Sequence, residues 1–115
     1  MKFGAGGLIE QFDAKRTAVS GNYTVLSTDF LIGVTSTSSA YTVTFPTAII
    51  TAQAGRMWII FDESGLAGTN NITIATEASE TVNGNASVAI DANYEGMILY
   101  SDGSNLFGFE ISGAA

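Results

Sequence analysis

Short apolar runs separated by turn residues set the pattern of this chain, and the densest of them lies between Gly55 and Ile74. Met57, Trp58, Ile59, Ile60 and Phe61 form an unbroken block of strong strand formers. A block this short, apolar on both alternating faces, predicts a strand covered on both sides. Asp62-Glu63-Ser64-Gly65 ends it in turn residues, Gly68-Thr69-Asn70-Asn71 extends the loop, and Ile72-Thr73-Ile74 resumes a strand.

Upstream, Tyr23 to Leu26 alternates, Ser27-Thr28-Asp29 turns, and Phe30, Ile32 and Val34 line one face of a second strand. Tyr41, Val43 and Phe45 alternate with Thr42 and Thr44, and Pro46 closes that strand where no further ladder donor is needed. Thr47 to Ala54 reads as a short helix or an edge segment. Downstream, Asn83-Gly84 marks a turn, Ser87 to Ile90 a brief strand, and Tyr94 to Tyr100 another with Met97 and Leu99 on one face. Asp102-Gly103 turns the chain into a last strand on which Phe107, Phe109 and Ile111 share a face, and this hairpin is expected beside the 56–62 strand. About eight or nine short strands at such spacing predict an all-β fold, an antiparallel β-sandwich of jelly-roll type. No repeat period stands out, which sets solenoids aside.

Residues 1–22 differ in character. A glycine-rich start carries Phe3, Leu8, Ile9 and Phe12, and all the cations but Arg56 lie in this segment. We therefore divide the chain into an N-terminal docking arm, 1–22, and a β-sandwich domain, 23–115. The strand pattern starts at Tyr23, so a chain lacking residues 1–20 is expected to fold.

Composition narrows the function more than it defines it. The 115 residues suffice for one domain with its own core. The net charge is −7, with only four Lys and Arg, so no basic stripe can replace the counterions of a nucleic acid. Low charge beside 46% hydrophobic residues predicts a surface partly covered by neighbouring subunits. The first apolar run stops at Glu10, too short for a signal-peptide core, and no stretch approaches a membrane span. The expectation is a chain made in a cytoplasm, binding neither nucleic acid nor membrane.

Histidine and cysteine are both absent, which removes Ser-His-Asp triads, Cys-His pairs and zinc sites. No cofactor is implied. Asp62 and Glu63 are the carboxylates to weigh for sugar hydrolysis, but adjacent strand residues point to opposite faces and cannot flank one bond. The turns at Asp62 and Asp102 offer oxygen ligands for calcium, yet aspartates in turns ordinarily bind their own backbone. Trp58, Tyr94, Tyr100 and Tyr23 could stack on a sugar, with a core or interface role favoured for Trp58. The sequons at Asn22, Asn71 and Asn85 carry little meaning without export.

The succession Tyr23-Thr-Val25, Ile32-Gly-Val34, Tyr41 to Ala48, Gly55 to Gly65, Asn70 to Ile74, Val82-Asn83-Gly84 and Tyr94 to Asn105 resembles a recurrent β-domain of tailed-bacteriophage virion proteins. Related modules occur in tail fibres, knobs and head decoration proteins. The resemblance covers residues 23–109, and Leu106-Phe107 stands where the fibre versions lead one to expect tryptophan. It implies a capsid decoration (cement) protein without catalysis, on the virion surface, homotrimeric and bound to the major capsid protein. On that reading Phe3, Leu8, Ile9 and Phe12 contact the capsid, while Met57, Trp58, Ile60, Phe107 and Phe109 form the core or the subunit interface. The alternatives are a tail-fibre or knob module that recognises a host surface glycan, and a small glycan-cleaving enzyme dependent on Asp62.

Overall fold

A computed structural model describes residues 13–112, and it is mostly strand. The elements run β1 (Arg16–Val19), β2 (Tyr23–Thr24), β3 (Leu31–Val34), β4 (Tyr41–Phe45), α1 (Thr47–Thr51), β5 (Met57–Asp62), β6 (Ile72–Thr76), β7 (Ser87–Ile90), β8 (Gly96–Ser101) and β9 (Leu106–Ile111). They form a five-stranded sheet ordered β1-β3-β5-β8-β9 and a four-stranded sheet ordered β2-β4-β6-β7.

Both sheets are mixed, which corrects the expected antiparallel pairing. β1 to β6 alternate between the sheets, so the strands that return to one sheet run parallel: β1 with β3, β3 with β5, β2 with β4 and β4 with β6. Only the later pairs, β5 with β8, β6 with β7 and β8 with β9, are antiparallel. A parallel pair needs a long crossover. Here each crossover contains a strand of the opposite sheet rather than a long helix. Arg16 aligns with Leu31 and Leu31 with Ile59, so successive turns of this winding differ in length and leave no period in the sequence.

Alternation puts one side of each strand into a shared core. Ile32, Val34, Trp58, Ile60, Met97 and Leu99 enter it from the larger sheet, and Val43, Phe45, Ile72, Ile74 and Ile90 from the smaller. Phe45 and Trp58 meet edge to face, with ring centroids 5.0 Å apart and planes at 77°. The Arg56 guanidinium lies 5.0 Å from the centre of the Trp58 ring, and it also donates to the backbone oxygens of Ser27 and Asp29 at 3.1 and 2.5 Å. Helix α1 follows Pro46, which has no side chain to cap it; Glu77 instead accepts from Thr47 N at 3.1 Å. The Ser101 hydroxyl donates to Ile50 O at 2.5 Å and ties α1 to β8.

The boundary expected at residue 22 also shifts. β1 is the edge strand of the larger sheet, and Val19 is buried in the core, so Arg16–Val19 belongs to the domain rather than to an arm. The alternation rule missed β1 because Arg16-Thr-Ala-Val19 carries only one large apolar residue. Phe3, Leu8, Ile9 and Phe12 lie outside the described residues.

Two stability predictions follow from this packing. Trp58→Ala removes a fully buried ring and is expected to destabilise by about 3–5 kcal/mol in denaturant unfolding. Trp58→Phe is expected to lose clearly less, because the indole N–H has no hydrogen-bond partner to forfeit. Deleting residues 1–20 removes β1 and uncovers the edge of β3, so the midpoint should fall sharply; an unchanged midpoint would show that β1 contributes nothing to the fold.

Candidate functional site

The two sheets differ in what they turn outward. On the four-stranded sheet the outward rows are small and largely polar: Thr42, Thr73 and Ala89 in one, Thr24, Thr44, Ala75 and Ser87 in the next. On the five-stranded sheet two of the outward rows are large and, apart from Arg16 at one end, apolar. One runs Met57, Tyr100, Phe107; the next runs Arg16, Leu31, Ile59, Ile98, Phe109. Phe109 is 56% exposed, Met57 44%, Tyr100 39% and Phe107 37%. The Tyr100 and Phe107 rings stack at 5.7 Å and 28°. The sequence block at Met57–Phe61 predicted a strand covered on both sides. Within the described residues only the Trp58 and Ile60 side is covered.

A third outward row is Ala18, Gly33, Phe61, Gly96 and Ile111. Its glycines are spaces filled from next door. A methyl group on Gly96 would stand 2.6 Å from the Phe61 ring, and one on Gly33 would run into the Glu63 carboxylate. That carboxylate is held over Gly33 by Arg16, whose Nε donates at 2.9 Å while Nη2 makes a second close contact. The Arg16 hydrogen bond holds Glu63 below the usual carboxylate range, and Glu63 in turn raises the Arg16 pKa. This pair neutralises its own corner of the face.

The edge beside the face is partly closed. Asn83 and Gly84, both with positive φ, form the expected turn, and that turn lies along β9. Leu106 N donates to Thr81 O at 2.9 Å, and Asn83 N to Leu106 O at 3.1 Å. The Asn83 side chain then takes the next register position, donating to Gly108 O and accepting from Gly108 N, each at 3.0 Å. A side-chain amide here stands in for a strand, so another chain cannot pair with β9 along Leu106–Gly108. What this end of the sheet offers a partner is its face.

Two buried aspartates fix the loops around this framework. Asp62 accepts from the Ser64 hydroxyl at 2.5 Å and from the backbone N–H groups of Gly65, Ala67 and Tyr94 at 3.1, 3.0 and 3.0 Å. Asp29 accepts from Thr17 and Tyr23 hydroxyls at 2.7 and 2.6 Å and from Leu26 N at 2.8 Å, with the Lys15 ammonium 3.7 Å away. Burial works to raise both carboxyl pKa values, but the donors outweigh it and hold both below the ordinary range. The Tyr23 phenol is pushed up to about 12, first by burial and then by its bond to Asp29. Asp102 makes the same kind of turn at the surface, accepting from Ser104 N and Asn105 N at 2.9 and 2.8 Å.

This geometry assigns the sequence candidates. Trp58 and Ile60 are core residues, whereas Met57, Phe107 and Phe109 come together on the exposed face with Tyr100. Tyr23 spends its hydroxyl on Asp29, and Tyr94 lies apart, its ring over Gly65. Asp62 faces inward and Glu63 outward, so the two cannot act on one bond; Asp62 is wholly buried with its acceptor sites used. Among the described residues no group of three or more Asp and Glu side chains could hold a metal ion. The sequence reading set Ile98 and Tyr100 on the face opposite Met97 and Leu99, but named neither Ile59 nor Leu31 as a face residue. The signal was the alternation itself, since each lies in phase with Met57 or the outward side of β3. Compared with protein-family models and with curated proteins, the chain matches none.

The aspartates set the acid limb of stability. A carboxylate whose folded pKa lies below its unfolded value contributes stability above about pH 4, and that stability is lost as pH falls through the folded pKa. Urea midpoints are therefore expected to hold from pH 8 down to about pH 5 and to drop steeply below about pH 4. Asp62→Asn puts an amide against several N–H donors. It is expected to lose about 2–4 kcal/mol at pH 7 and to flatten part of that acid limb. For Tyr23 the sign reverses: its neutral form contributes below about pH 10, and the contribution is lost towards pH 12.

Proposed function

We propose that this chain is a bacteriophage structural protein, a capsid decoration (cement) protein that binds the outer head surface and stabilises it as a homotrimer. Its two sheets then form a β-sandwich whose faces are divided in purpose. The small polar face of the four-stranded sheet meets solvent, and the apolar face of the five-stranded sheet meets protein. The observation that carries the reading is this contrast within one chain, since contiguous apolar surface of this kind marks interaction sites. The resemblance of residues 23–109 to virion β-domains supplies the setting. The partners on this reading are further copies of the chain and the major capsid protein, with no catalytic step and no cofactor. Three copies binding together gain avidity that one copy lacks. The net charge of −7 argues against nucleic acid as the partner.

The stacked Tyr100–Phe107 pair favours one second reading, a tail-fibre or knob module that recognises a host surface glycan. Labelled electron microscopy of purified virions tests the two. Label spread over the head is the expected result. Label confined to the tail tip would replace decoration with receptor binding, and Tyr100→Ala should then abolish attachment to host cells.

A further inference from the structure

We infer that the outer face of the five-stranded sheet is the surface through which one copy of this chain binds another, with Met57, Tyr100, Phe107 and Phe109 at its centre. The inference deepens the proposed function and rests on that reading for the presence of a second copy. Which surface it uses is argued from geometry.

At about 200 Å² for a fully exposed side chain of this size, the four exposures sum to ~350 Å² of apolar surface. Ile59 and Ile98, partly exposed in the adjoining row, extend it. A stable interface takes ~800 Å² from each partner, of which the centre is apolar and the rim polar. The face supplies such a centre.

The chain carries −7, so two copies repel unless they meet where the charge is not. The central rows of β5, β8 and β9 hold no ionisable side chain except the Tyr100 phenol, and the Arg16–Glu63 pair is already neutralised within one copy. Copies that meet through this face about a common axis bring no like charges together.

Asn83 occupies the hydrogen-bonding positions of Gly108, so addition of a strand from another copy is obstructed along the first half of β9. Along that stretch the surface left open is the face. The Tyr100–Phe107 stack on that face spans β8 and β9.

Sedimentation velocity on the full chain tests this, with Phe109→Glu as the variant and Thr73→Glu as the control. Phe109 is exposed, so the charge should leave circular dichroism unchanged. Thr73 points outward on the other sheet and tests the effect of charge alone. The expected result is an oligomer for the parent chain and for Thr73→Glu, with self-association at least ~30-fold weaker for Phe109→Glu. If Phe109→Glu does not fold, Met57→Lys takes its place. A parent chain that stays monomeric at its highest soluble concentration overturns the inference, as does an oligomer that survives both substitutions. A monomer whose residues 1–12 protect this face from an apolar dye also overturns it. The readout needs no virion: label at the tail tip would remove decoration and leave this interface, whereas a monomer would remove the interface and leave head binding to be judged by microscopy.

Discussion

The rest of the structure depends on the contact between Phe45 and Trp58, because it is where the two sheets meet through their largest rings. Each ring is inward on its strand, each strand has hydrogen-bonded neighbours on both sides, and the pair closes edge to face at 5.0 Å. Among the described residues nothing covers the outer side of the larger sheet, and its packing comes from the side that Trp58, Ile60 and Leu99 bury. Arg56 then links this contact to the 25–29 turn by lying on the indole while binding Ser27 O and Asp29 O.

The loops are ordered by a different means. Asp29 and Asp62 are charged groups placed where no water reaches, and each is stable there because backbone N–H and hydroxyl donors converge on it. Each gathers several segments at one carboxylate. Asp29 joins β1, β2 and the turn between them and β3; Asp62 joins the end of β5, the loop at Gly65–Ala67 and the loop at Tyr94. Carboxylates of this kind are easily mistaken for catalytic groups in a sequence. Their shielding and their full set of donors make them anchors.

The functional surface follows from asymmetry. Both outer faces are built by the same alternation, yet one is threonine, serine and alanine and the other is aromatic and aliphatic. A side chain on an outward position is free of core constraints, so its chemistry reflects what it meets outside. The Thr-rich face suits water. The apolar face exposes area that water disfavours, and it does so next to a β9 edge already blocked by Asn83.

Much of this was legible in the sequence, for a definable reason. Side-chain alternation has period two, so the faces of β5, β8 and β9 can be read residue by residue: Trp58 with Ile60, Met97 with Leu99, Phe107 with Phe109. Turn chemistry is local, so Asn83-Gly84 and Asp102-Gly103 could be placed from their own dipeptides. What the sequence left open was every relation between distant segments. Alternation says which residues share a face but not which strand lies alongside, so parallel winding was read as antiparallel. It missed β1, whose strand character comes from pairing with β3 rather than from its own residues. Nor could it divide the apolar residues of β5, β8 and β9 into core and exterior, because Met57 and Trp58 are equally hydrophobic. Only the position of the second sheet, packed against one side of the first, decided that Trp58 is buried and Met57 is not.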